Sequence, residues 1–184
     1  ALMRWAGEHG GAASEVVDSV VSVCSPLDLT ASGHAIGRGF NRWVYTPRFL
    51  KTMKPKAVQK WQQYPRLFDL EAALSAKDLF EFDNVFTAPL HGFKDTDDYW
   101  TRAAAKPVMR HIGLPALAIN ALNDPFVPAS SLPQARDVSP DVTLWQPLQG
   151  GHVGFARDRL GWGVPGDVRA LPEAVAQWWG QVHG

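Results

Sequence analysis

The segment PALAINALNDP, residues 115–125, joins an apolar run to an acidic turn. The run from Pro115 to Leu122 is short and carries no charge, which is typical of a strand buried on both faces of a parallel sheet. Asn, Asp and Pro then favour a turn, so the strand ends there. Asp124 therefore follows the strand directly. The segment predicts an α/β fold with a carboxylate at the carboxyl end of a strand.

Two further segments predict neighbouring strands. VVDSVVSVC, residues 16–24, is β-branched and almost wholly apolar, and Pro26 ends it. VTLWQ, residues 142–146, alternates more loosely, which favours a position nearer the edge of the sheet. Between the second and third strands, ASSLPQAR at 129–136 is long enough for a short crossover helix. Strands separated by helices indicate a parallel sheet.

Helices are predicted at both ends of the chain. ALMRWAGEHGG, residues 1–11, predicts a helix with Leu2, Trp5 and Ala6 on its apolar face and Gly10 as its stop. No capping residue precedes Ala1, so the chain is expected to start inside this helix. LPEAVAQWWGQV, residues 171–182, predicts the last helix. Its apolar stripe is Val175, Trp178, Trp179 and Val182.

The segment between the first and second strands has a different composition. It is rich in aromatic residues and is broken by prolines, so several short helices and no strand are expected. Ser75 with Asp78 predicts a weak capping box there. We therefore predict an α/β core from 1–29 and 107–184, with 30–106 inserted as a helical cap over the carboxyl end of the strands. The prolines are Pro47, Pro55, Pro65 and Pro89.

Bulk composition excludes several classes of protein. The 184 residues suit one elaborated domain, and 46% hydrophobic residues permit a sizeable core. Eighteen basic and eighteen acidic residues give no net charge, which argues against a nucleic-acid or anionic-membrane partner. The single cysteine, Cys24, excludes an internal disulfide and a zinc cluster of cysteines, and it fits a reducing, cytoplasmic compartment. No apolar run approaches the roughly 20 residues of a membrane span.

His152 follows the third predicted strand, just as Asp124 follows the second predicted strand. QGGHVGF, residues 149–155, places His152 among glycines. The two residues lie 28 positions apart (152 − 124), enough for one helix and one strand. An acid after one strand and a histidine after the next is the order of a Ser–Asp–His triad, in which the carboxylate orients an imidazole base. Either residue alone is common in loops, but together they predict a catalytic pair.

The motifs ALNDPFVP, GGHVGF and FDNVFTAPLHGFKDTDDYW together resemble the YheT-like branch of the α/β-hydrolases. These esterases are related to the abhydrolase-domain proteins of animals and the ethanol acyltransferases of yeast. The resemblance implies that Asp124 and His152 complete a catalytic triad. It also implies a small-molecule ester substrate, with an apolar acyl group favoured by the aromatic cap, and it implies neither cofactor nor metal.

The chain departs from that family at the nucleophile. No G-x-S-x-G elbow occurs in the 184 residues, and the His-Gly of an oxyanion hole is absent before the first helix. By resemblance, we expect the serine upstream of Ala1. The chain would then be the C-terminal portion of an α/β-hydrolase fold whose N-terminal half is missing. Alone, it is expected to be inactive.

Several other residues invite functional interpretations that the sequence disfavours. Cys24 and Ser25 lack the flanking glycines of a nucleophile elbow. For Cys24, packing as a small buried residue is favoured over a nucleophilic role. His91-Gly92 imitates an oxyanion motif but falls in the predicted cap. The acidic run at 95–98 predicts a solvated turn or helix start rather than a calcium loop. His34 is expected in a loop. Three tryptophans are candidates for an acyl pocket: Trp43, Trp61 and Trp100.

Two alternatives to an esterase remain open. An acyltransferase on the same fold would pass the acyl group to an alcohol rather than to water. A catalytically inactive remnant or interaction module would explain why the elbow is missing.

Overall fold

The computed structural model describes residues 1–155 and 169–184. Two groups of residues form separate compact units within it. One comprises Ala1–Leu27 with Ala105–Gly184, and the other comprises Asp28–Ala104. The first contains all the strands of the described residues, and the second is helical. The assignment of residues 30–106 as a lid stays a prediction.

The first unit is built on a parallel sheet. Its strands are β1 (Val20–Val23), β2 (Ala116–Ile119) and β3 (Val142–Trp145), in the order β1-β2-β3. In register, Val23 pairs with Ile119, which pairs with Trp145. The three strands therefore end level with one another. Helices flank the sheet, which confirms the predicted α/β class.

The α-helices are numbered along the chain, with α1 and α9 in the first unit and the others in the second. They are α1 (Leu2–His9), α2 (Leu29–Ile36), α3 (Gly39–Val44), α4 (Thr46–Gln63), α5 (Leu70–Ser75), α6 (Leu79–Phe82), α7 (Ala88–Leu90), α8 (Thr96–Ala103) and α9 (Ala170–His183). Short 3₁₀ turns connect elements of the first unit, at Gly10–Glu15, Lys106–His111, Ala129–Ser131 and Ala135–Asp137.

Side chains of β2 alternate between two apolar clusters, because successive residues of a strand point to opposite faces. Ala116 and Ala118 pack with Met3 and Ala6 of α1. Leu117 and Ile119 belong to the cluster that contains Trp178 of α9. Every residue of β2 is buried, so its uninterrupted apolar sequence reflects a strand covered on both faces.

The predicted first strand begins too early. Residues 16–19 precede β1, and Val16 is 69% exposed. The 3₁₀ turn at Gly10–Glu15 runs directly into this segment, and Val16 has φ −109° and ψ −41°, in the helical rather than the extended region. The apolar face predicted for α1 is also wrong at Leu2, which is exposed. The helix buries Met3, Ala6 and Gly7, which share a face at helical spacing.

Two other local predictions differ from the structure. No α-helix forms over residues 129–136, where two 3₁₀ turns flank Pro133. Proline lacks the N–H that a helix interior needs, which accounts for the break. In α9, Trp178 is buried as predicted, whereas Trp179 and Val182 are exposed.

The helical unit has its own core. Buried residues of α4, α5 and α6 pack together, including Leu50, Ala73 and Phe82. Asp78 rather than Ser75 caps α6, because its carboxylate accepts a hydrogen bond from the Glu81 amide at 2.9 Å. Among the described residues, no helix combines the length and apolar character needed to cross a bilayer.

Helical glycines provide a test of packing in the first unit. A Cβ atom on Gly7 would lie 2.5 Å from the Val108 carbonyl oxygen, whereas one on Gly180 would meet nothing within 4 Å. Alanine favours a helix over glycine by up to about 1 kcal/mol. We expect Gly180→Ala to raise the free energy of unfolding by up to that amount. Gly7→Ala should lower it by about 1–3 kcal/mol through overpacking. Urea denaturation measures both, and equal effects would contradict the packing of α1.

Candidate functional site

A thiol, a carboxylate and an imidazole lie close together beyond the carboxyl ends of the strands. Cys24 directly follows β1, Asp124 lies five residues beyond β2, and His152 lies seven residues beyond β3. One ligand-type atom from each lies within 4.8 Å of the others. The level ends of a parallel sheet bring these loops together, as the sequence predicted for Asp124 and His152.

Asp124 is the fixed member of the group. Its side chain is fully buried, and one carboxylate oxygen, Oδ1, accepts a hydrogen bond from the Phe126 amide at 2.8 Å. The other oxygen, Oδ2, lies 2.9 Å from Nδ1 of His152. An ionised carboxylate only accepts hydrogen bonds, so opposite this charged form Nδ1 is the donor, and in a neutral imidazole Nε2 then carries the lone pair. The side chain of His152 is 39% exposed, so a buried acid orients a partly accessible imidazole.

Two glycines shape the loop that holds His152, for different reasons. A Cβ atom on Gly150 would lie 2.7 Å from the Ala121 side chain and 2.8 Å from Phe155. Gly151 has a φ of +56°, a backbone conformation that residues with a side chain rarely adopt. The backbone then closes on itself, with the Gly154 amide donating to the Gly150 carbonyl at 2.8 Å. The loop therefore passes very close to the end of β2 and turns sharply before His152.

Asn123 is a residue of the site that the sequence interpretation missed. Its Oδ1 accepts hydrogen bonds from the amides of Gly150 and Gly151, at 3.0 and 2.8 Å. Its Nδ2 donates to Oε1 of Gln149 at 2.7 Å. The residue beside Asp124 thus binds the loop that carries His152. Its sequence signal was the Asn of Asn-Asp-Pro, which was interpreted only as part of a turn.

Aromatic rings surround the histidine loop. Phe126 meets the His152 ring edge to face, with ring centroids 4.8 Å apart. Phe155 is buried and stacks on Trp145 with centroids 5.5 Å apart. One ring therefore packs against the imidazole and another fixes the end of its loop, which limits the positions available to His152.

Cys24 is buried, as expected for a small residue of the core. Its φ is +53°, an uncommon value for a residue other than glycine, and its amide donates to the Ile119 carbonyl at 2.7 Å. Burial and the negative charge of Asp124 raise the pKa of its thiol to about 11. Such a thiol is protonated at neutral pH, which makes it a weak nucleophile.

The remaining candidates either belong to the helical unit, Asp28–Ala104, or have structural roles. His91 and Gly92 follow α7, and His34 lies within α2 rather than in a loop. The carboxylate of Asp95 caps α8 by accepting from the Asp98 amide, as a helix start predicts. Ser25 accepts a hydrogen bond from Ser22, and its carbonyl accepts one from Asn120.

The three tryptophans considered for an acyl pocket differ in environment. Trp43 is 83% exposed, and Trp61 packs partly buried against the helical core. Trp100 is buried and donates its indole N–H to Asp83 at 2.8 Å. Trp100 therefore contributes to packing within its own unit, and the acyl-pocket role stays a prediction for all three tryptophans.

Comparison with known proteins places the chain beside hydrolases. It is 35% identical over 141 residues to "Putative esterase YheT" of Escherichia coli, covering 76% of this chain and 41% of that protein. It is 32% identical over 156 residues to "Phospholipase ABHD3" of Mus musculus, covering 84% and 37%. It is 27% identical over 151 residues to "Monoacylglycerol lipase" of Saccharomyces cerevisiae, covering 79% and 34%.

The chain therefore spans less than half the length of each of these relatives. No protein-family model matches it. No solved structure matches it either.

The Asn123 contacts predict how the histidine loop responds to mutation. Asn123→Ala removes the acceptor for two loop amides, so we expect the amides of Gly150 and Gly151 to exchange with solvent on the order of tenfold faster. Asn123→Asp keeps the acceptor and should retain most of the protection. Hydrogen exchange followed by NMR measures both, with the buried Ala118 amide as an internal reference. Unchanged exchange at both glycines in Asn123→Ala would contradict the role of this side chain.

The Cys24 thiol predicts a pH dependence of stability. Its pKa rises from an ordinary value of 9.0 in the unfolded chain to about 11 in the fold. The folded state thus holds the thiol proton more tightly. The resulting stability is fully present below about pH 9 and is lost as pH rises through about 11, on the order of 2 kcal/mol. Urea denaturation across this range should show a steeper decline for the native chain than for Cys24→Ser. Parallel declines would contradict the raised pKa.

Proposed function

Because the chain belongs to the YheT-like branch of the α/β-hydrolases, we propose that it contributes the acid and base of a carboxylic ester hydrolase. The hydrogen bond between Asp124 and His152 is the observation that carries this proposal. The pair lies at the carboxyl ends of parallel strands, where open α/β sheets bind ligands. The names of the relatives supply the substrate class, a carboxylic ester.

In the proposed mechanism, His152 acts as base and then as acid. Nε2 takes a proton from a serine hydroxyl as the serine attacks the ester carbonyl, and it then returns the proton to the leaving alcohol. Water enters next, and Nε2 accepts its proton as the water oxygen attacks the acyl carbonyl. The same proton then passes to the serine oxygen as the carboxylic acid leaves, which restores the serine. Asp124 keeps Nδ1 protonated throughout and stabilises the imidazolium that forms in each step. The 39% exposure of His152 provides access, while the burial of Asp124 strengthens its effect.

The serine and the oxyanion hole are proposed to lie in sequence that precedes Ala1 in the full-length protein. The 184 residues contain no G-x-S-x-G, and the relatives are more than twice as long as the matched region. Relatives named phospholipase and monoacylglycerol lipase favour a lipid-like ester with an apolar acyl group. Residues 30–106 are proposed to act as the lid of that site.

The test uses the gene product that includes any coding sequence before Ala1. We expect hydrolysis of p-nitrophenyl esters, with kcat lowered about 10⁴–10⁶-fold by His152→Ala and about 10⁴-fold by Asp124→Asn. The exposed His111 lies outside the pair, so His111→Ala should leave kcat unchanged. The 184 residues alone should hydrolyse these esters at background rate.

Three outcomes would contradict the proposal in different ways. Full activity in His152→Ala would exclude this histidine as the base. Absence of hydrolysis in the longer product, with acyl transfer when excess alcohol is supplied, would favour the acyltransferase. Robust hydrolysis by the 184 residues alone that His152→Ala abolishes would show that the nucleophile lies within them.

A further inference from the structure

We propose that Cys24, Asp124 and His152 form a binding site for a zinc-type divalent cation, which would inhibit the same histidine that serves as the proposed base. The site rests on the placement of three different donors: a thiol sulfur, a carboxylate oxygen and an imidazole nitrogen. These atoms lie within 4.8 Å of one another, although the residues are separated by up to 128 positions in sequence (152 − 24).

The distances suit a small tetrahedral ion after a modest adjustment. Zinc binds sulfur at about 2.3 Å and nitrogen or oxygen at about 2.0–2.2 Å, which sets donor separations of about 3.3–3.7 Å. The Nδ1–Oδ2 separation of 2.9 Å is slightly shorter than this, and the longest separation allowed by the cluster, 4.8 Å, is about 1 Å longer. Rotation of the partly exposed His152 side chain can shorten the longer separations.

The donor types select the ion. Thiolate and imidazole favour zinc and related soft or borderline metals, whereas Mg²⁺ and Ca²⁺ require mainly oxygen ligands. On binding, the thiol proton passes to solvent and a metal–sulfur bond replaces the S–H bond. A thiolate and a carboxylate together offset the two positive charges, so the buried site becomes neutral. Three protein donors leave a fourth position for water.

The site also has a route for entry. Cys24 and Asp124 are buried, whereas the side chain of His152 is 39% exposed. An ion therefore approaches along the imidazole and meets the Asp124 carboxylate and the Cys24 thiol behind it. The Asn123 side chain accepts hydrogen bonds from the Gly150 and Gly151 amides and so holds the loop that carries His152. The third donor is therefore present before the ion arrives.

Binding would remove the base whichever ring nitrogen is used. A neutral imidazole has one lone pair on nitrogen, and the other nitrogen carries a proton. A metal that occupies the lone pair leaves only the protonated nitrogen, which cannot accept a proton from a serine or water. Only this inhibitory consequence rests on the proposed hydrolase function, because metal binding itself requires no substrate and no nucleophile.

Cobalt titration provides a direct test on the 184-residue chain. Co²⁺ bound to a thiolate produces a ligand-to-metal charge-transfer band, and Cys24 is the single cysteine of the sequence, so the band reports this residue. We expect a band that saturates at one Co²⁺ per chain and is displaced by Zn²⁺ but not by Mg²⁺. Cys24→Ser should abolish it.

Variants of the other donors complete the test. His152→Ala should weaken Zn²⁺ binding by at least about tenfold in competition with Co²⁺, and the near-isosteric Asp124→Asn should weaken it as well. His111→Ala is the matched control and should bind as the native chain does. Circular dichroism confirms that each variant is folded. Absence of a thiolate band, or equal Zn²⁺ affinity in native chain and folded His152→Ala, would overturn the proposal even if ester hydrolysis were demonstrated.

Discussion

The backbone ladder on both sides of β2 fixes the position of everything else at the site. Beyond the paired strands, the Cys24 amide still donates to Ile119, the Asn120 amide to Trp145, and the Leu122 amide to Pro147. These bonds continue the parallel register into the loops. Because β2 is the middle strand of the described sheet, its end determines where the chain can go after both neighbours. Asp124, His152 and Cys24 are neighbours for this reason.

Much of this arrangement follows from sequence. The apolar run of β2 predicts a strand buried on both faces, and the structure confirms it because α1 covers one face and α9 covers the other. The placement of Asp124 and His152 after successive strands predicts their proximity without any knowledge of side-chain conformation. Parallel topology alone brings the ends of such strands to one edge.

Other features depend on contacts that local patterns do not encode. Val16 belongs to the same apolar run as β1, yet the preceding 3₁₀ turn leaves it on the surface. Asn123 has the local signal of a turn, whereas its contacts are 26 to 28 residues away. The closeness of Cys24 to Asp124 arises from the pairing of β1 with β2, so its lack of flanking glycines gives no indication of it. The sequence therefore predicts which loops lie close together, but it does not predict which hydrogen bonds and side-chain contacts fix those loops in place.

The Lys106 amide donates to the Leu27 carbonyl at 2.9 Å, which closes the helical insertion at its base. The length of this insertion affects the order in which the strands can pair. Val20 pairs with Ala116 across 96 residues (116 − 20), whereas Ala116 pairs with Val142 across only 26 (142 − 116). For flexible loops, the longer separation makes the entropic cost of closing the β1–β2 pair about 1.2 kcal/mol higher than that of closing the β2–β3 pair. We expect β2, β3 and the hydrogen-bonded Asp124 and His152 to assemble first, with β1 joining once the insertion has folded and brought its two ends together.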